Sequence, residues 1–140
     1  MLNIKRKQVN TNMEQRIITG MITNTKFLAK VSSLISNNIF SEYSQVLSDW
    51  CIDYFNKYNK APKKNIESIF EEERDGLDSD VEKNISLYLQ TLSNKHIESE
   101  DINVEYLSDK AQEFFREKLD TNFAKSISRK LRTGDLTNLD

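Results

Sequence analysis

The sequence predicts an all-α protein: a compact bundle of about five short helices followed by a long C-terminal helix that begins a helical hairpin. Three observations predict it. Apolar residues recur at spacings of three and four in nearly every segment. Only three Gly and one Pro occur in 140 residues, too few for the tight turns of a sandwich or barrel. Helix starts are signalled by S/T-x-x-E boxes at Thr11–Glu14 and Ser79–Glu82, in which each side chain can bond the other residue's amide.

Residues 1–10 are polar and basic, with Lys5, Arg6 and Lys7, and read as a flexible arm. The bundle is expected over residues 11–102. Its first helix starts at the Thr11 box and carries Ile17, Ile18, Met21 and Ile22; Gly20 within it fits close packing of a neighbouring helix. A short second helix fits residues 25–36, with Phe27, Leu28, Val31, Leu34 and Ile35 inward. The third, capped by Ser41, bears Tyr43, Val46, Leu47, Trp50, Cys51, Tyr54, Phe55 and Tyr58 on one unbroken face, opposite Gln45, Ser48, Asp49, Asp53, Asn56 and Lys57. Pro62 ends it, because the residue before a proline is pushed out of helical angles. A short helix with Ile66, Ile69 and Phe70 follows, and Gly76 can terminate it. The next helix, from the Ser79 box, carries Val81, Ile85, Tyr88, Leu89 and Leu92 and runs to near Asn94; residues 95–102 read as a loop.

Asn103 caps a last helix over residues 103–133. At about 1.5 Å per residue, its residues 104–132 span about 43 Å, against a diameter of about 37 Å for a sphere of this chain length. It is expected to project, bend or break. Val104, Leu107, Ala111 and Phe114 form a core face, whereas Phe115, Leu119, Phe123, Ile127 and Leu131 are spaced by four throughout. That line turns by about 160° around the helix over its course, so one straight partner cannot cover it. These five residues are therefore the candidates for contact with another subunit. After Gly134, Asp135 with Leu136 and Leu139 reads as the start of a truncated second hairpin arm over residues 134–140.

Composition narrows function by exclusion. Charged residues make up 30 % and hydrophobic ones 37 %, with a net charge of −2 and both signs mixed, so no global field draws the chain to nucleic acid or anionic lipid. One Cys and one His remove an internal disulfide, a cysteine-built zinc site and any site of two imidazoles. No phosphate-cradling G-x-x-x-x-G-K-[ST] loop is present. Without an apolar span or signal sequence, a cytoplasmic protein with no membrane contact is the expectation. Cys51 reads as an inert core thiol and His96 as a solvated surface residue. Asp75, Asp78, Asp80 and Glu82 miss calcium-loop spacing because Gly76 follows Asp75 directly, and read as cap and loop. Trp50 with Tyr43, Tyr54 and Tyr58 reads as core rather than as a stacking platform for bases, since few basic residues are interleaved. Lys125, Arg129 and Arg132 share a helix face with Lys130 nearby. They read either as a solvated face matched to the helix dipole or as a patch for nucleic acid or an acidic partner.

Several segments resemble a known family. Glu14-Gln15-Arg16-Ile17-Ile18-Thr19-Gly20-Met21-Ile22, with Phe27-Leu28, resembles the opening helix of the N-terminal domain of DnaB-type replicative helicases. Trp50-Cys51-Ile52-Asp53-Tyr54-Phe55, Lys57-Tyr58, Ala61-Pro62 and Ile66 to Phe70 resemble the phage and prophage branch. So do Asn103-Val104-Glu105-Tyr106-Leu107, Asp109-Lys110 and Phe115-Arg116, and the likeness runs over about residues 11 to 135. The resemblance implies a helical bundle and hairpin that associate into a dimer or ring collar and dock a primase or helicase loader in DNA replication. It also implies a downstream RecA-like motor that uses ATP and Mg and makes most DNA contacts. No motor motif is present in these residues, so no enzyme activity and no cofactor are expected of this chain. The alternative is a free-standing helical adaptor or inhibitor that binds another protein through its C-terminal helix. A third reading is a DNA binder using Lys5 to Lys7 and the patch from Lys125 to Arg132.

Overall fold

The computed structural model describes the backbone of residues 2–35, 39–92 and 102–133, and the side chains of residues 12–35, 39–92 and 102–121. Among the described residues six α-helices follow one another: α1 (Leu2–Thr23), α2 (Thr25–Val31), α3 (Glu42–Tyr58), α4 (Asn65–Glu73), α5 (Ser79–Thr91) and α6 (Val104–Thr133). A single 3₁₀ turn, Arg74–Gly76, joins α4 to α5, and no strand occurs among the described residues. The chain is an all-α bundle ending in a long helix.

The first helix differs from expectation at its start. It begins at Leu2, so the segment read as an arm and the Thr11 box both lie inside α1. Residues 2–10 contain no Gly or Pro, and Lys, Arg and Gln are good helix formers. Glu14 serves another helix instead. Its carboxylate accepts from the backbone N–H of Ser41 and from the Ser41 hydroxyl, the latter at 2.8 Å. Ser41 stands at the N-cap of α3 but makes no cap bond with its own side chain. Glu14 thus ties the start of α3 to the middle of α1.

The break between α1 and α2 is built from side chains. Asn24 leaves helical angles at φ −130°, and its Oδ1 accepts from the Phe27 N–H at 2.8 Å, an N-cap bond that starts α2. The loop after α3 then closes on this corner. The Lys63 N–H donates to the Ile22 carbonyl at 2.8 Å, and the Ala61 N–H donates to Thr25 Oγ1 at 3.1 Å. An orphan carbonyl at the end of α1 is thereby satisfied. Asn59, at φ 60°, ends α3 in the left-handed conformation that Asn tolerates.

Packing centres on α1, which lies against α2, α3 and α6, while α3 also carries α4 and α5. The core contains Ile17, Ile18, Met21 and Ile22 of α1, Phe27, Leu28 and Val31 of α2, and Leu47 and Cys51 of α3. Ile66 and Phe70 of α4, with Val81, Ile85, Tyr88 and Leu89 of α5, close one side. Leu107, Ala111, Phe114 and Phe115 of α6 close another. At Gly20 both α2 and α6 come close: a Cβ there would lie 2.7 Å from the Phe27 ring and 3.0 Å from Leu107 Cδ2. The close packing read from Gly20 is present.

Four further expectations are corrected. The second helix stops at Val31 and Leu34 is 40 % exposed, because residues 32–34 form a turn rather than another helical repeat. The buried line of α3 is Ser44, Leu47, Ser48 and Cys51, so Ser48 belongs to the core and not to the polar face. The Ser79 box does not form. Ser79 lies within α5 behind an Asp78 N-cap, and Glu82 is held by Arg74 at 2.7 Å. Finally, Phe115 is only 3 % exposed. It meets Phe40 edge to face at 5.8 Å beside Phe114, and the three rings pack where α6 crosses the entry to α3.

Candidate interaction surfaces

Asn103 opens α6 as expected, its Oδ1 accepting from the Tyr106 N–H at 3.0 Å. The helix then lies on α1 and α2 as far as the phenylalanine cluster. Beyond it the environment changes. Arg116 and Glu117 are exposed, Lys118 is half-buried with its Nζ 5.5 Å from the centre of the Phe114 ring, and Leu119 is 49 % exposed. Asp120 and Thr121 are exposed too. From Phe115 to Thr133 the helix continues for about 27 Å. Of the five residues proposed for subunit contact, Phe115 is therefore spent on this chain's own core and Leu119 faces water. The side chains of Phe123, Ile127 and Leu131 lie outside the described residues, as do those of Lys125, Arg129, Lys130 and Arg132. The start of a second hairpin arm at residues 134–140 also falls outside them.

A second surface runs between α3 and α4. Because the buried line of α3 is centred on Leu47 and Cys51, the aromatic face read as core is turned to its flank. Trp50 is half-buried, its ring 6.5 Å from that of Phe70. Tyr54 and Tyr58 lie 4.6 Å apart in a tilted pair, and Tyr58 is 59 % exposed. The Tyr54 hydroxyl accepts from Asn65 Nδ2 at 2.9 Å. These rings line a groove of about 470 Å³ together with Asp53, Glu72 and Glu73. Sequence reasoning missed this groove. The polar residues Ser44 and Ser48, one turn apart, are buried beside Leu47 and Cys51, and no local pattern announces that centre.

The lone thiol offers no chemistry. Cys51 is fully buried, and burial pushes its ionisation well above the ordinary thiol range, leaving it protonated and unreactive. Tyr88 is shifted up as well, because burial outweighs its hydrogen bond to the Thr19 hydroxyl. That bond lies at a cleft of about 770 Å³ between α1, α5 and α6, where no nucleophile stands beside a base among the described residues. No group of three His, Cys, Asp or Glu that could hold a metal ion is found among the described residues; His96 is outside them. No described helix is long and apolar enough to cross a membrane.

No protein-family model, curated protein or solved structure matches this chain.

Proposed function

We propose that this chain is a non-catalytic oligomerisation and partner-docking domain of a phage-type DnaB-like replicative helicase. Its association would contribute to a dimer or ring collar, and a primase or helicase loader would dock on it. ATP and Mg would belong to a RecA-like motor domain beyond these residues. The observation that carries the reading is the course of α6. Its last buried described side chain is Phe115, Leu119 stands in water, and the helix continues to Thr133. A helix whose described side chains beyond Phe115 are mostly exposed is suited to pair with a second polypeptide, since helices in proteins gain most of their stability from packing. The resemblance at Glu14 to Ile22, Trp50 to Phe55 and Asn103 to Leu107 supports the helicase reading.

Sedimentation velocity over a wide concentration range tests association directly. Self-association is expected, and Leu119→Glu should weaken it while leaving the melting temperature of the dilute monomer unchanged. A strict monomer at the highest concentration would remove the basis for the collar. The reading frame beyond Asp140 separates helicase from adaptor. A phosphate-binding loop encoded downstream supports the helicase reading, whereas its absence leaves the free-standing adaptor that uses the same helix.

A further inference from the structure

We propose that the groove between α3 and α4 receives an arginine-bearing segment of a partner protein. Three observations converge on this. The first is that the groove wall holds Trp50, half-buried and packed against the core, with Tyr54, half-buried, and Tyr58, 59 % exposed. Large rings held half out of the core present π faces to whatever enters. The second is charge. Asp53, Glu72 and Glu73 stand among these rings, and Lys57 is the one cation among the described residues that line the groove. Negative edges around aromatic faces favour a planar cation and repel a phosphate backbone. The third is that the molecule already builds the same arrangement beside the groove, with its own arginine in place. Arg74 lies over the Phe70 ring, its guanidinium carbon 4.9 Å from the ring centre. Its edges donate to Glu71 at 3.0 Å and to Glu82 at 2.7 Å. Phe70 in turn neighbours Trp50. The groove repeats ring and carboxylates and lacks the guanidinium. Arginine is preferred to lysine because its plane stacks on a ring while its fork meets carboxylates.

Trp50 is the chain's only tryptophan, so its emission reports on the groove. The protein is titrated with capped hexa-arginine, hexalysine and hexaglutamate peptides and with oligothymidine, each at several salt concentrations. Hexa-arginine is expected to shift the emission saturably and to bind about five-fold tighter than hexalysine, the margin of guanidinium stacking. Glu72→Gln combined with Glu73→Gln should weaken it about ten-fold at low salt. These substitutions are on exposed side chains, so the fold is retained, and Leu119→Glu should leave the titration unaltered. Equal binding of both basic peptides, an unchanged affinity in the double variant, or a response to oligothymidine would each overturn the proposal. A Trp50 emission that changes with protein concentration alone would assign the groove to a second copy of this chain and overturn it as well.

Discussion

Gly20 sets how closely α1, α2 and α6 approach. A methyl group there would improve helix propensity by about 1 kcal/mol, yet it would lie 2.7 Å from the Phe27 ring, a contact the packed core must relieve. Overpacking of this kind costs about 1–3 kcal/mol, so Gly20→Ala is expected to lower stability in urea denaturation; a gain would mean that the ring gives way freely. Two buried hydroxyls make the opposite prediction. Ser48 Oγ and Ser108 Oγ lack hydrogen-bond partners among the described residues, and an unsatisfied buried polar group costs about 1–3 kcal/mol. Ser48→Ala is therefore expected to be neutral or stabilising by about 1 kcal/mol, measured the same way, and a clear loss would point to a bonded hydroxyl. Cys51 and Tyr88 give stability a pH dependence. Both ionise above their ordinary values of 9.0 and 10.0 because they are buried. As pH rises past 9, the unfolded chain releases protons that the folded chain keeps, so stability must fall with rising pH. Each group contributes up to about 1.4 kcal/mol per pH unit. Unfolding free energies at pH 8 to 10.5 should show that decline, and Cys51→Ala should flatten its onset.

At the scale of elements, α3 shows how periodicity can be right while its centre is misplaced. The helical spacing from Tyr43 to Tyr58 is unbroken, and the helix forms where that spacing predicts. The arc of apolar residues is wide, however, and its buried centre falls on Leu47 and Cys51 with Ser44 and Ser48 beside them. Periodicity gives the arc, but the helices against which it rests choose the middle. Trp50→Ala, which a core position would make cost about 3–5 kcal/mol, should cost less than Phe114→Ala in parallel thermal melts. Equal losses would restore Trp50 to the core. The ends of α3 and α5 were harder to foresee than their middles. The sequence predicts that Glu14 caps its own helix, but it holds Ser41, 27 residues away; it predicts the same of Glu82, which holds Arg74. A capping box depends on short-range geometry, and a carboxylate abandons it when a distant amide or guanidinium offers a better bond. Glu14→Ala should thus cost about 1–2 kcal/mol, the usual value of a lost cap, although it lies in the middle of α1; urea denaturation of that variant measures it.

For the whole molecule, the decisive feature is where α6 stops serving the bundle. Leu107, Ala111, Phe114 and Phe115 belong to the core, and from Arg116 through Thr121 only Lys118 is even half-buried. The change was legible in the sequence as a switch from alternating spacings to a uniform spacing of four, placed one residue too early. Phe115 follows the new spacing but is captured by Phe40 and Phe114, because Phe40 comes from the segment leading into α3 and no local pattern announces it. Association through the exposed stretch should accordingly be disrupted by Leu119→Glu, whereas Phe115→Ala should lower the melting temperature as any large-to-small core change does.

The sequence by itself determined the all-helical class, the place of most helix starts and stops, the cap at Asn103, the tight contact at Gly20 and the burial of Cys51. Each follows from interactions within a few residues along the chain: apolar period, side-chain capping, and the scarcity of residues that break a helix. Only the tertiary structure decided that α3 turns its aromatic flank outward, that Glu14 serves Ser41, and that Phe115 stays inside. Those outcomes depend on groups brought together from distant segments, where competing partners of similar chemistry are separated by packing geometry alone.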